Sequence, residues 1–223
     1  MTLIEKVQII NDKIEKAKIR GRVNQTVNIV AVTKTHPFSI IEQSYKAGVF
    51  SIGENRIQES KNKFRSFNSM PKITKRFIGH LQSNKVNKCI ELFDTIDSVD
   101  SIKLLKKISN SVIKHQKKIS VLLEINTSGE ISKRGFKPNE ISEIKECLEI
   151  KNIDVNGLMT IGPNTNDKNK IRKSFQILRK IKQTIKNPKL QELSMGMSGD
   201  YEIAVEEGST MVRLGTALFG KRT

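Results

Sequence analysis

The hydrophobic positions of this chain first follow the 3.6-residue period of a helix. After that, short apolar runs typical of strands alternate with further helical stretches as far as the last predicted strand. Within residues 2–19, apolar side chains recur at a 4-3-4-3 spacing at Leu3, Val7, Ile10, Ile14 and Ala17. This spacing predicts a helix over Thr2–Ile19 with one buried stripe.

Eight short, β-branched and nearly all-apolar runs follow Gly21, which is the pattern of parallel strands covered on both faces. The predicted strands are Val27–Val32, Val49–Gly53, Arg76–Leu81, Leu92–Ile96, Ile119–Asn126, Val155–Ile161, Glu192–Met197 and Thr210–Leu214. Helical patterns separate them at Ile40–Ala47, Ile57–Phe67, Lys85–Glu91, Ser101–His115, Glu140–Glu149, Asn169–Thr184 and Tyr201–Glu207.

Strands that alternate with helices in this way predict an α/β protein, a single (β/α)8 barrel of the TIM type with an additional N-terminal helix. That first helix would take the place of the missing eighth one. An open doubly wound sheet is disfavoured because no GxGxxG follows the first strand. The length of 223 residues suits one domain, so residues 1–223 are predicted to form one.

The formal charge of +17 suggests an anionic partner, either nucleic acid or a phosphorylated small molecule. However, the lysines are scattered over nearly every predicted helix, and the chain has no tryptophan and only two tyrosines to stack on bases. No RNA-binding or helix-turn-helix signature accompanies the charge. A compositional bias is therefore favoured, and RNA binding is kept as a competing hypothesis.

Several other classes of protein are disfavoured by the sequence. Glu5 and Lys6 interrupt the first apolar run, so neither a signal peptide nor a membrane span is expected there, and a cytoplasmic location is predicted. Cys89 and Cys147 lie far apart without a CxxC motif, and the three histidines lack the spacing of metal ligands. No disulfide framework, zinc site or hydrolase triad is predicted.

Lys34 is the first candidate for chemistry, because it ends the apolar run of the first strand. In a barrel, residues just past the strands meet at one mouth, where active sites lie. Water-poor walls and nearby positive charge disfavour the ammonium form of a lysine, which frees the amine to attack an aldehyde. The alternative is an ordinary surface lysine just beyond the strand end.

The last two predicted strands supply a candidate phosphate site. Ser198 follows one of them, and Gly215 and Thr216 follow the other, so hydroxyl and backbone N–H donors are expected side by side. The alternative is that the glycines only turn the chain. Arg213 lies inside the last strand, where a buried guanidinium needs an acceptor from an acidic neighbour or a ligand.

Six segments together resemble the pyridoxal phosphate homeostasis protein family, and they cover the whole chain in order. They are Ala31–Thr35, Gly53–Asn55, Phe77–Lys85, Gly157–Thr160, Leu193–Ser198 and Val212–Thr216. The resemblance implies a barrel like the N-terminal domain of alanine racemases. It also implies a protein that binds pyridoxal 5′-phosphate (PLP), the cofactor form of vitamin B6, without an established turnover.

Carried over residue by residue, the resemblance implies that Lys34 forms a Schiff base with PLP. Ser198, Gly215 and Thr216 would hold the phosphate, and Arg213 would lie near the pyridine nitrogen or the phosphate. Asn55 is implied at the same mouth, and His80, Met159 and Met197 are implied there on weaker motifs. Lys133 matches a further family pattern and is a candidate second amine that helps the aldehyde leave.

Three function classes stay open on the sequence. The favoured one is a monomeric carrier that keeps free PLP low and supplies it to apo-enzymes. A PLP-dependent racemase is the alternative, but it needs a second base on the opposite face of the substrate. The chain has only Tyr45 and Tyr201 and ends soon after its last strand, so this base is expected to be missing. An RNA-binding protein is the third class.

Overall fold

The eight predicted strands form a closed parallel barrel in the computed structural model, which describes residues 1–220. Every strand pairs with its neighbour in sequence, and β1 pairs with β8 to close the ring. The strands are β1 (Asn28–Val32), β2 (Ser51–Glu54), β3 (Thr74–Phe77), β4 (Thr95–Val99), β5 (Ser120–Glu124), β6 (Asp154–Met159), β7 (Glu192–Met197) and β8 (Met211–Leu214). The predicted (β/α)8 class is confirmed.

Helices surround this barrel. They are α1 (Leu3–Gly21), α2 (Phe38–Lys46), α3 (Ile57–Lys63), α4 (Val86–Leu92), α5 (Ile102–Lys114), α6 (Ile141–Leu148), α7 (Lys168–Ile185), α8 (Tyr201–Glu206) and α9 (Thr216–Phe219). A 3-10 turn, Ser83–Lys85, directly precedes α4. No helix among residues 1–220 is both long and apolar enough to cross a bilayer.

The N-terminal helix begins at a capping box, in which the Thr2 hydroxyl accepts from the Glu5 backbone and the Glu5 carboxylate accepts from Thr2. Its predicted stripe packs in one cluster with outward side chains of β1 and β8, such as Ala31 and Val212. Helix α1 also packs against α2, α8 and α9. The first helix therefore covers the seam where the barrel closes, as predicted, while the four-residue helix α9 was not predicted.

The third strand was predicted too late in the sequence, and the fourth strand too early. The third strand runs over Thr74–Phe77 and not over Arg76–Leu81. At Gly79, beyond its end, the chain passes so close to the end of β2 that a Cβ would lie 2.3 Å from the Asn55 carbonyl oxygen. The fourth begins at Thr95, since Leu92 ends α4. Its fully buried Asp97 broke the apolar pattern, which is the reason that hydrophobicity alone misplaced it.

Side-chain alternation along β8 decides what faces the inside of the barrel. Val212 and Leu214 join the outer cluster against α1, so the residue between them points the other way. That residue is Arg213, which is only 5% exposed. The period of two therefore places a guanidinium inside the upper barrel.

Candidate functional site at the barrel mouth

A cavity of about 640 Å³ opens at the carboxyl ends of the strands. It is lined by Val32, Lys34, His36, Asn55, Ile78, Gly79, His80, Glu124, Ser132, Lys133, Arg134, Ile161, Met197, Ser198, Gly199, Arg213, Gly215, Thr216 and Gly220. All the predicted site residues line it except Met159. Met159 lies buried in β6 and is not part of the lining found within residues 1–220.

Lys34 sits on a turn that leaves β1 at the cavity. The preceding residue still belongs to the barrel, since the Thr33 N–H donates to the Gly53 carbonyl at 3.1 Å. The His36 N–H then donates back to the Thr33 carbonyl at 3.0 Å, which closes a four-residue turn. The lysine is thus presented from a short, hydrogen-bonded segment at the rim of the barrel.

Arg213 lines the cavity and is held by acceptors on β7 and just after β6. Its guanidinium donates to the Ser194 carbonyl at 2.8 Å, to the Ser194 Oγ at 2.7 Å and to the Thr160 carbonyl at 2.7 Å. Burial lowers the pKa of Arg213, and the carboxylates of Asp97, Glu124 and Asp200 oppose that shift. These bonds fix the orientation of the guanidinium.

The loops that follow β7 and β8 are joined by hydrogen bonds to the hydroxyl of Ser198. The Ser198 Oγ accepts from the Gly215 N–H at 3.3 Å and from the Ala217 N–H at 3.0 Å. Gly196, in β7 before this loop, has a φ of +95° and packs closely on α8, where a Cβ would lie 2.6 Å from the Ala204 Cβ. A hydroxyl and backbone N–H groups are therefore gathered where the β7 and β8 loops reach the cavity.

Lys133 reaches the cavity from the loop after β5. Its ammonium pairs with Glu130 at 3.0 Å and donates to the Gly162 carbonyl at 2.6 Å. The loop itself is pinned by the Asn126 amide, which donates to the carbonyls of Glu130 and Lys133. Lys133 is thus positioned on the lining rather than projecting into solvent.

His80 occupies the opposite rim and is 40% exposed in its side chain. Its Nδ1 lies 3.4 Å from the Asp100 carboxylate, a distance that suits an ion pair when the ring is protonated. Asn55 lies just below, where its backbone packs directly on Gly79. The strand ends of β2 and β3 therefore reach the same cavity as the phosphate-type donors of β7 and β8.

Several lining residues were not predicted, and Glu124 is the acidic one among them. Burial, and secondarily the charge of Asp100, raise the pKa of its carboxyl to about 7, although Arg213 and Arg134 act in the opposite direction. The signal was available, since Val121 and Leu123 pack in the outer core and alternation turns Glu124 inward. Among residues 1–220, no group of three His, Cys, Asp or Glu side chains could hold a metal ion.

The fold and this cavity define a parallel (β/α)8 barrel with a ligand-sized cavity at the carboxyl ends of its strands. A comparison with known families agrees with this class. Residues 14–223 match the family described as alanine racemase, N-terminal domain. The relatives are more specific. The chain is 40% identical over 208 residues to the pyridoxal phosphate homeostasis protein of Vibrio alginolyticus, covering 91% of this chain and 89% of that protein. This chain belongs to the pyridoxal phosphate homeostasis protein family, as predicted.

Solved structures agree with this assignment. An unknown protein from Bifidobacterium adolescentis is 37% identical, with a TM-score of 0.89 over 97% of this chain and 94% of that one. PipY of Synechococcus elongatus, solved with PLP bound, is 31% identical, with a TM-score of 0.81 over 98% of this chain and 100% of that one. The barrel fold is therefore shared with a relative that has been solved with PLP bound.

Proposed function

We propose that this chain holds PLP in the mouth cavity as a Schiff base with Lys34 and contributes to PLP homeostasis. Residues 1–223 would act as one cytosolic domain that stores the cofactor and yields it to apo-enzymes. The observation that carries the proposal is one cavity that joins Lys34, Arg213 and the Ser198–Gly215 contact. A relative with 31% identity, PipY, has been solved with PLP in place.

The lining fits this cofactor in size and in charge. A volume of about 640 Å³ lies in the range of cofactor sites, which is roughly 300–1,000 Å³. Among the described lining residues, Lys34, Lys133, Arg134 and Arg213 are cationic, and Glu124 is the single carboxylate. This balance suits a ligand that carries a phosphate.

Each residue has a separable task in this proposal. Lys34 supplies the amine that captures the aldehyde, and bound PLP would supply its electrophilic aldehyde and electron-withdrawing ring. Ser198 and the N–H groups around Gly215 would orient the phosphate. Arg213 can only donate hydrogen bonds, so a ring nitrogen facing it stays unprotonated and the ring withdraws electrons weakly. Such tuning suits retention of the cofactor better than carbanion chemistry.

The absence of turnover is part of the proposal and rests on the tyrosines. Tyr201 is 6% exposed and packs in the outer cluster against α1, and burial raises its pKa to about 12. Tyr45 packs its ring 5.2 Å from that of Phe50. Neither tyrosine lines the described cavity, so neither is placed to act as a racemase base opposite Lys34.

The test is a visible absorption spectrum of the purified protein mixed with PLP, before and after borohydride reduction, with mass mapping of the modified residue. We expect a Schiff-base band and a single label on Lys34. Lys34→Ala and Lys34→Arg should both lack the band, the second variant keeping the positive charge. A colourless wild-type protein, or a label on another lysine, would overturn the proposal.

The same samples discriminate the alternatives. Sustained turnover of any member of an amino-acid panel, lost in Lys34→Ala, would show a PLP enzyme. Steeply salt-dependent RNA affinity that survives in Lys34→Ala would instead support the RNA-binding reading of the charge of +17. We expect neither result.

A further inference from the structure

The turn that carries Lys34 contains an unfavourable backbone conformation. Thr35 has a φ of +68°. A β-branched residue rarely adopts a positive φ, and such a conformation persists only where the surrounding structure enforces it. The neighbours that enforce it here therefore bear on how Lys34 is presented.

Two acidic side chains and one lysine hold this turn from below. The Lys63 ammonium donates to the Thr33 carbonyl at 2.8 Å and to the Glu54 Oε1 at 2.6 Å. The Thr33 hydroxyl donates to the same Glu54 oxygen at 2.6 Å. On the other side of Lys34, the Thr35 N–H donates to the Glu59 Oε1 at 2.6 Å. The backbone is therefore held both before and after Lys34.

The pair at the centre of this network is buried. The Glu54 side chain is 0% exposed and that of Lys63 is 8% exposed. The second Glu54 oxygen, Oε2, is buried without a hydrogen-bond partner among the described residues. A buried ion pair contributes little net stability, but it can fix one geometry. This pair contacts Thr33, next to Lys34, so the geometry that it fixes is that of the lysine turn.

None of the three holding residues lines the described cavity, which separates them from the groups that would touch a ligand. Glu54 ends β2, and Glu59 and Lys63 lie on α3. Lys63 and Glu59 are also one helical turn apart, with 3.8 Å between Nζ and Oε1. The network therefore couples a helix on the outside of the barrel to the lysine turn.

We propose that Glu54, Glu59 and Lys63 are positioning residues that hold the Thr33–His36 turn in the conformation that presents the Lys34 amine to the cavity. This inference deepens the proposed function and rests on it. When the network is cut, the strained turn relaxes and the competent conformation is populated for only a fraction of the time. The apparent affinity for PLP falls by that same fraction.

The first experiment measures the PLP dissociation constant and the association rate of Glu59→Ala, Lys63→Met and Lys61→Met. Lys61 is exposed on the same helix two residues before Lys63, so Lys61→Met is the matched control. We expect affinity to be about tenfold weaker in Glu59→Ala and in Lys63→Met. Glu59→Gln retains a side-chain oxygen acceptor and should bind within about threefold of wild type.

The second experiment is a rescue that a purely structural role would not produce. Glycine adopts a positive φ without steric cost, so Thr35→Gly should restore much of the affinity lost in Glu59→Ala. We also expect the pH midpoint of the PLP-adduct absorbance to shift in Glu59→Ala and to return in the double variant. Thermal unfolding of each PLP-free protein verifies folding.

The outcomes separate this inference from the proposed function. A wild-type protein that binds no PLP defeats the proposed function itself. A wild-type protein that binds PLP, together with Glu59→Ala and Lys63→Met that match it in affinity, rate and pH midpoint, overturns the positioning role. If Lys63→Met does not fold, the comparison of Glu59→Ala with the Glu59→Ala/Thr35→Gly double variant tests the inference. A double variant that binds PLP no more tightly than Glu59→Ala overturns it.

Discussion

The Arg213 guanidinium donates a 2.7 Å hydrogen bond to the backbone carbonyl of Thr160, which ties β8 to the end of β6 across the intervening strand. Its second nitrogen is held by the carbonyl and the hydroxyl of Ser194 on that strand, β7. One side chain thus joins three consecutive strands of the barrel. Arg213 therefore has a structural task as well as its proposed contact with PLP.

Replacing Arg213 should consequently affect both stability and binding. Arg213→Met removes the donor of the bonds to Ser194 and Thr160, although the Ser194 carbonyl still accepts from the Thr160 N–H at 3.1 Å. We therefore expect the free energy of unfolding to fall by about 1–3 kcal/mol. Urea unfolding of the PLP-free protein measures this loss. Arg134→Met, an exposed change on the same lining, is the control and should stay within about 0.5 kcal/mol of wild type. Equal stabilities for the two variants would contradict the bridging role.

Two glycines of the cavity should respond differently to the same substitution. A Cβ at Gly79 would lie 2.3 Å from the Asn55 carbonyl oxygen, whereas one at Gly199 would meet no atom within 4 Å. Gly79→Ala should therefore cost about 1–3 kcal/mol of stability and weaken PLP binding by displacing Asn55. Gly199→Ala should be close to neutral. Thermal unfolding and a PLP titration of both variants test this difference.

Glu124 should make the PLP-free protein less stable as the pH rises through about 7. Burial raises the pKa of its carboxyl to about 7 in the folded state, above the ordinary value near 4.5. The folded state then binds more protons than the unfolded state between these values, so this contribution to stability is full at low pH and is lost as the pH rises.

Glu124→Gln removes that titration. We expect the variant to match wild type near pH 4.5 and to be more stable by on the order of 1–3 kcal/mol at pH 8. Urea unfolding at several pH values gives the difference, because groups that do not interact with Glu124 cancel between the two proteins. A constant difference across the pH range would show that Glu124 keeps an ordinary pKa.

Lys133 should influence the release of PLP more than its binding. Lys133 lines the cavity, and Glu130 holds its ammonium at 3.0 Å, so the side chain is a candidate second amine. Lys133→Met should keep the PLP dissociation constant within about threefold and slow the transfer of PLP to an apo-enzyme by about tenfold. Stopped-flow absorbance measures the transfer. An unchanged transfer rate would remove this role for Lys133.

Local pattern alone determined the class of fold and much of the mouth. Apolar runs with a period of two and stripes with a period of 3.6 record which face each element buries, and a parallel barrel brings its strand ends to one side. Lys34, Ser198, Arg213 and Gly215 could therefore be predicted on one cavity, and they line it. The β4 boundary could not be predicted, since the fully buried Asp97 reads as polar.

Tertiary structure alone decided which side chains pair within and beneath that mouth. The Arg213 bond to Thr160 spans 53 residues, and the Lys63 bond to Thr33 spans 30. Periodicity states whether a side chain points inward or outward, but not how deep it lies or what it meets there. Met159 was placed at the cavity by motif and lies outside its lining, while Glu124 lines it unpredicted. Burial and hydrogen bonding depend on distances across the closed barrel, which no local pattern encodes.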